Sequence, residues 1–191
     1  RFSYTVKRAS AEEAIAAMQE RSGSAATLGQ PQRWASWRRS LARGQMREGN
    51  AALAYDLATS HHLSEGSDYA DLEWLAGYLA LRKLNDPKRA LVHFQNFRAA
   101  VSSPISVGRA GYWLGLAHEA VGDSEGAEAA YRLGALHQTS FDGLLAAEKA
   151  GVPIDPSLAG LEYFPAWQQA EWATSDLVKV IELALEMDQL S

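Results

Sequence analysis

Apolar residues recur along the chain in blocks of helical spacing, and each block is bracketed by a capping residue and a breaker. Ser10 stands before AEEAIAAMQE with Glu13 three residues on, a capping-box pattern that predicts a helix over 11–20. RSGSAATLGQ reads as a break, and Pro31 opens the next block. At 100° per residue Trp34, Trp37, Leu41 and Gln45 share one face of that block, with Arg39, Arg43 and Arg47 opposite. Gly49 ends it, and Asn50 caps a helix over 51–60. After His61, His62 and the Gly66 turn, Asp68 and Asp71 start YADLEWLAGYLALRKL. Asn85 ends that helix, Asp86 caps the following one, and Pro87 takes its first position. Ser103-Pro104 opens another in the same way, and Gly122-Asp123 divides two helices within 108–136. Ser140 and Gly151 bracket a short helix. VPIDPSLAG is a connection, the aromatic EYFPAWQQAEWA predicts a short or kinked helix, and Ser175 caps the last apolar block, with Leu177, Val178, Ile181 and Leu185.

The turns are periodic. Gly49-Asn50, Asn85-Asp86 and Gly122-Asp123 lie 36 and 37 residues apart, and Ala54, Ala90 and Ala127 keep the same intervals. Trp37, Trp74 and Tyr112/Trp113 precede the turns at similar distances. In the third unit Leu114-Gly115, Gly122-Asp123, Ala127 and Tyr131 stand at tetratricopeptide-like offsets, although Gly111 replaces the usual Trp and no Pro closes the unit. Gly115 and Ala127 carry almost no side chain, so two helix axes can approach closely while Tyr131 fills the space beside them. Hairpins that cannot bury their apolar faces alone are expected to stack. The expected fold is therefore all-α, a right-handed α-superhelix (α-solenoid) of such hairpins. Residues 1–30 would form the N-terminal end of the array, 31–150 the three repeats, and 151–191 a connecting segment with terminal helices.

Composition narrows the possibilities. The chain has no cysteine, which excludes a disulfide framework and a thiolate metal site. It has no apolar run of transmembrane length, so no membrane span is expected. The absence of an initial Met and of a leader-like stretch is what a mature or trimmed chain would show, with repeats expected upstream. The net charge of −5 is uneven: residues 1–50 hold nine Lys/Arg and four Asp/Glu, and the remainder nine and nineteen. That acidic remainder argues against a nucleic-acid partner.

Several stretches together resemble the superhelical region of soluble lytic murein transglycosylases. They are WRRSLARGQMREGNAALAYDLA, DLEWLAGYLALRKLNDPKRALVHFQNF, PISVGRAGYWLGLAHEAVGDSEGAEAAY and QTSFDGLLAAEKAG, within about residues 31–150. The family commonly has Tyr after the Phe of the last stretch, where Asp142 stands here. The resemblance implies a periplasmic bacterial enzyme whose α-superhelix carries a lysozyme-like domain. That domain cleaves the MurNAc–GlcNAc bond to a 1,6-anhydro end without metal or organic cofactor. The family's catalytic acid is a Glu followed by Ser, and no Glu-Ser pair occurs in these residues. The expectation is a non-catalytic scaffold whose partners are peptidoglycan and its own C-terminal catalytic domain. The other reading is a tetratricopeptide-type scaffold that binds a protein segment and has no enzymatic activity.

The remaining chemistry is sparse. Glu12, Glu13, Glu125, Glu128 and Glu171 lie near helix starts or on polar faces, where capping or solvation is expected. His61 and His62 are adjacent and diverge, and His93, His118 and His137 fall on separate helices without HExxH spacing. No histidine site and no metal are expected, and no phosphate-cradling glycine motif occurs. Arg39, Arg43 and Arg47 are candidates for contact with murein carboxylates or an acidic partner. Tyr163, Phe164, Trp167 and Trp172 are candidates for an interdomain seam or for stacking on sugars.

Overall fold

The computed structural model describes residues 10–160 and 166–186, and all regular structure among them is helical. The chain divides into two units, Arg1–Ile154 and Asp155–Ser191. In the first lie α1 (Ala11–Arg21), α2 (Ala25–Leu28), α3 (Pro31–Arg47), α4 (Ala51–Thr59), α5 (Gly66–Arg82), α6 (Pro87–Ala100), α7 (Pro104–Val121), α8 (Ser124–Ala135) and α9 (Phe141–Ala150). The second holds three 3₁₀ turns, Pro156–Ala159, Trp167–Gln169 and Glu171–Thr174, followed by α10 (Asp176–Glu186).

Caps account for most boundaries. Ser10 and Glu13 form the capping box of α1, and Asp86, Ser103, Asp123 and Ser140 each accept a backbone N–H in the first turn of the helix that follows. Gly122 closes α7 with φ +81°, a left-handed conformation that costs glycine nothing. Three local expectations need correction. The break after α1 contains α2, nucleated by a second capping box between Ser24 and Thr27. Asn50 sits at the N-cap of α4 but donates through Nδ2 to Gln45 Oε1 instead of capping the helix. α5 begins at Gly66, two residues ahead of Asp68, with Glu65 as an N-cap that makes no side-chain cap bond.

Within the first unit each helix from α3 to α9 packs on its successor, except that α9 lies on both α7 and α8, and α3 also touches α5. Small residues set the crossings. Ala54, Ala90 and Ala127 are buried, as are Gly115 and Tyr131. A Cβ on Gly115 would run into the Tyr131 ring, so the aromatic occupies the space that glycine leaves open. Gly111 is tighter still: a Cβ there would strike the backbone of Gly134 and the Ala130 carbonyl across the α7–α8 crossing. Gly111→Ala should therefore cost about 2 kcal/mol, because backbone gives way less readily than a side chain. A urea unfolding midpoint equal to the parent's would contradict this.

The second unit is short, and α10 is amphipathic. Leu177, Val180, Leu183 and Leu185 are exposed on it, and Lys179 pairs with Asp176. Ser175 Oγ accepts from Val178 N–H, giving the cap expected there.

Candidate functional site

The polar centre of the first unit is built where α4, α5 and α6 meet. α5 is apolar around most of its circumference through Leu72, Leu75, Ala76 and Leu79, and Glu73 lies among them at 5% exposure. A carboxylate so placed requires donors. It has three: His61 Nε2 is 3.0 Å from Oε1, and His93 Nδ1 and Asn96 Nδ2 are 2.8 and 3.0 Å from Oε2. Behind His61, the Leu63 N–H donates to Nδ1 at 2.9 Å, which leaves Nε2 as the protonated nitrogen facing Glu73. Behind His93, Nε2 meets the Tyr55 hydroxyl at 2.8 Å. Tyr69 packs edge-on against His61, and Tyr55 edge-on against His93. Arg89 lies over the Tyr55 ring and pairs with Asp86.

Burial alone would push the Glu73 carboxyl up. The hydrogen bonds from His61, His93 and Asn96 outweigh it and hold the group at about 2, so Glu73 is an anion at neutral pH. Burial also pushes the Tyr55 phenol up, so the chain of groups ends in a neutral hydroxyl, not an activated one. Such an arrangement ties three helices together. It has no nucleophile.

The separate positions of the histidines in the sequence do not show that two of them meet. His61 and His93 come from a turn and from a helix 32 residues apart, and converge on one carboxylate. His62 does diverge: with φ +53° it turns its Nε2 to the Ser22 carbonyl at 2.8 Å. His118 pairs with Asp123 at the α7–α8 turn, where the Gly126 N–H and His118 hold that carboxyl below its ordinary range. Among the described residues no group of His, Asp and Glu is arranged to hold a metal ion.

A second buried polar group escaped the helical-wheel reading. The buried face of α3 is formed by Trp34, Ala35, Arg38, Ala42 and Gln45, while Trp37 and Leu41 are half-buried. Arg38 is 1% exposed and donates to the Leu57 carbonyl at 2.9 Å and to Ser22 Oγ at 2.6 Å. Leu57 lies in the last turn of α4, so its carbonyl brings the partial negative charge of that helix end to the guanidinium, while Ser22, at the end of α1, accepts through its hydroxyl. Burial pulls Arg38 down to about 10, against the attraction of Asp56.

The arginine stripe divides. Arg39 is held by Asp68 and Asp71 at the start of α5, whereas Arg43 and Arg47 are exposed. Trp167 and Trp172 are exposed and stack on each other, 6.1 Å apart and 11° from parallel. Tyr163 and Phe164 lie outside the described residues. Half-buried aromatics on α5 and α7 form a further cluster: Trp74 stacks on Tyr78 and meets Trp113 edge-on, while Arg109 and Arg82 cover Trp74 and Trp113. Arg109 also pairs with Asp142. No protein-family model matches the chain, and neither a curated protein nor a solved structure matches it. No helix among the described residues is long and apolar enough to cross a membrane.

Proposed function

We propose that the chain is a scaffold: a right-handed α-superhelix of hairpins that presents surfaces and performs no chemistry of its own. One observation carries this reading. Contacts run in chain order through the pairs α3/α4, α5/α6 and α7/α8, and the first helices of neighbouring hairpins also meet, α3 on α5 by packing and α5 on α7 through Trp74 and Trp113. Stacked hairpins meet in this way, whereas a closed bundle would bring distant helices together. The recurrence of Ala54, Ala90 and Ala127, all buried, supports it from the sequence side.

With the resemblance of residues 31–150, the scaffold is assigned to a periplasmic lytic transglycosylase. There it would position murein strands, while a lysozyme-like part of the protein cleaves them. The buried, nucleophile-free character of the Glu73 centre is in keeping with a non-catalytic role.

Arg43 and Arg47 are the exposed cations of the stripe and the ones free to meet murein carboxylates; Arg39 is already engaged. Arg43→Glu combined with Arg47→Glu should reduce sedimentation of the chain with purified murein sacculi at low salt by several-fold. The same sacculi should show no clearing by the parent chain. Equal sedimentation of parent and variant would remove the arginine contact. If neither sediments, the murein assignment fails and a protein-binding scaffold is left.

A further inference from the structure

We propose that the joint of α4, α5 and α6 is a proton-sensitive clamp, in which His93 is built to take a proton with the joint closed and His61 is built to keep it shut. The proposal rests on hydrogen-bond direction and is independent of the murein reading.

His61 has no room for a second proton. Its Nε2–H is committed to Glu73 and its Nδ1 accepts the Leu63 N–H. A proton on Nδ1 would set one N–H against another. It would orphan the buried Leu63 amide and release the turn that runs from Ser60 to Glu65. The same turn carries His62, whose ring holds the Ser22 carbonyl at the end of α1. Opening it would loosen α1 from the helices that follow.

His93 is different because its outer partner is a hydroxyl. Tyr55 donates to Nε2 when that nitrogen is bare, and its oxygen can accept when the nitrogen is protonated. The exchange needs only rotation of the O–H. It also turns the His93–Glu73 contact at 2.8 Å into a full ion pair. The other charged and titratable groups around the pair come from each packed element: Tyr55 from α4, Tyr69 from α5, and Asp86 and Arg89 from the start of α6, the last two paired with each other at 3.0 Å. Asn96 holds the second lone pair of Glu73 Oε2 in either state. The two rings thus differ in what a second proton costs: His93 can hold it with the clamp closed, and His61 only by opening it.

The test follows both rings by NMR on the full chain labelled with ¹⁵N-histidine, from neutral pH downward, together with hydrogen exchange at the Leu63 amide. His61 should carry its hydrogen on Nε2 throughout the range in which His93 becomes protonated, with Leu63 protection unchanged. Protection should fall about tenfold once His61 Nδ1 is protonated, as expected for one lost buried hydrogen bond. Loss of Leu63 protection in step with His93, or a hydrogen on His61 Nδ1 at neutral pH, would overturn the clamp. Tyr55→Phe gives a second reading, because it removes the reversible hydroxyl and leaves His61 untouched. It should lower the proton affinity of His93 about fivefold, since a charged donor loses more than a neutral acceptor does, while Leu63 stays protected at neutral pH. An unchanged His93 affinity in that variant would equally overturn it.

Discussion

Arg38→Ala lowers the unfolding free energy by about 4 kcal/mol, whereas Arg38→Met leaves it within about 1 kcal/mol of the parent. The alanine variant loses both donated hydrogen bonds and opens a cavity at the 1%-exposed position where α1, α3 and α4 meet. The methionine variant keeps most of the volume. It leaves the Leu57 carbonyl without the guanidinium, but it also ends the burial of a charge that no carboxylate pairs with among the described residues and whose Nε has no hydrogen-bond partner. Those two effects are each on the order of 2 kcal/mol and oppose one another. Urea midpoints of the two variants check the prediction. If methionine were as damaging as alanine, the charge itself and its bonds to the Leu57 carbonyl and the Ser22 hydroxyl would be holding the joint.

Arg38 also shows how far the sequence can be read. Its position was visible, because Trp34, Arg38 and Ala42 follow one another at four-residue spacing down one side of α3. A wheel read from Trp34, Trp37, Leu41 and Gln45 passes over Arg38 and Ala42 beside them, since it weighs hydrophobicity and not the small residues that let helices approach. The periodic parts were legible for the opposite reason. Caps at Asp86, Ser103, Asp123 and Ser140, and the small residue Ala127 at its crossing, act locally and leave local marks. The Glu73 centre leaves no such mark. His61 and His93 are brought together by the packing of α5 against α6, and no spacing along the chain encodes that meeting. One signal was available: a lone Glu inside DLEWLAGYLAL, where its neighbours on both sides are apolar. A charge embedded in an otherwise apolar helix must find donors after folding, and the polar residues of the flanking segments supplied the candidates.

The embedded charge yields the second large effect, and it is expressed through pH. The Glu73 carboxyl titrates at about 2 in the folded protein and near its ordinary value of 4.5 once unfolded. Because the folded value is the depressed one, the group's contribution is complete above about pH 4.5 and fades as the pH falls toward 2. The difference amounts to about 3 kcal/mol. Glu73→Gln removes the charge and leaves an amide that cannot accept from His61, His93 and Asn96 together, since its nitrogen would oppose one oxygen's worth of donors. At neutral pH the variant should be about 3 kcal/mol less stable than the parent. Between pH 4.5 and 2 the two stability curves should converge, because the parent loses what the variant never had. Other carboxylates contribute to acid unfolding in both proteins alike, so the difference between the curves reports on Glu73 together with the two histidines bonded to it. Urea unfolding of parent and variant across that range measures it. A gap that stays constant down to the acid end would mean that Glu73 acts by packing and hydrogen-bond geometry, with its ionisation contributing nothing.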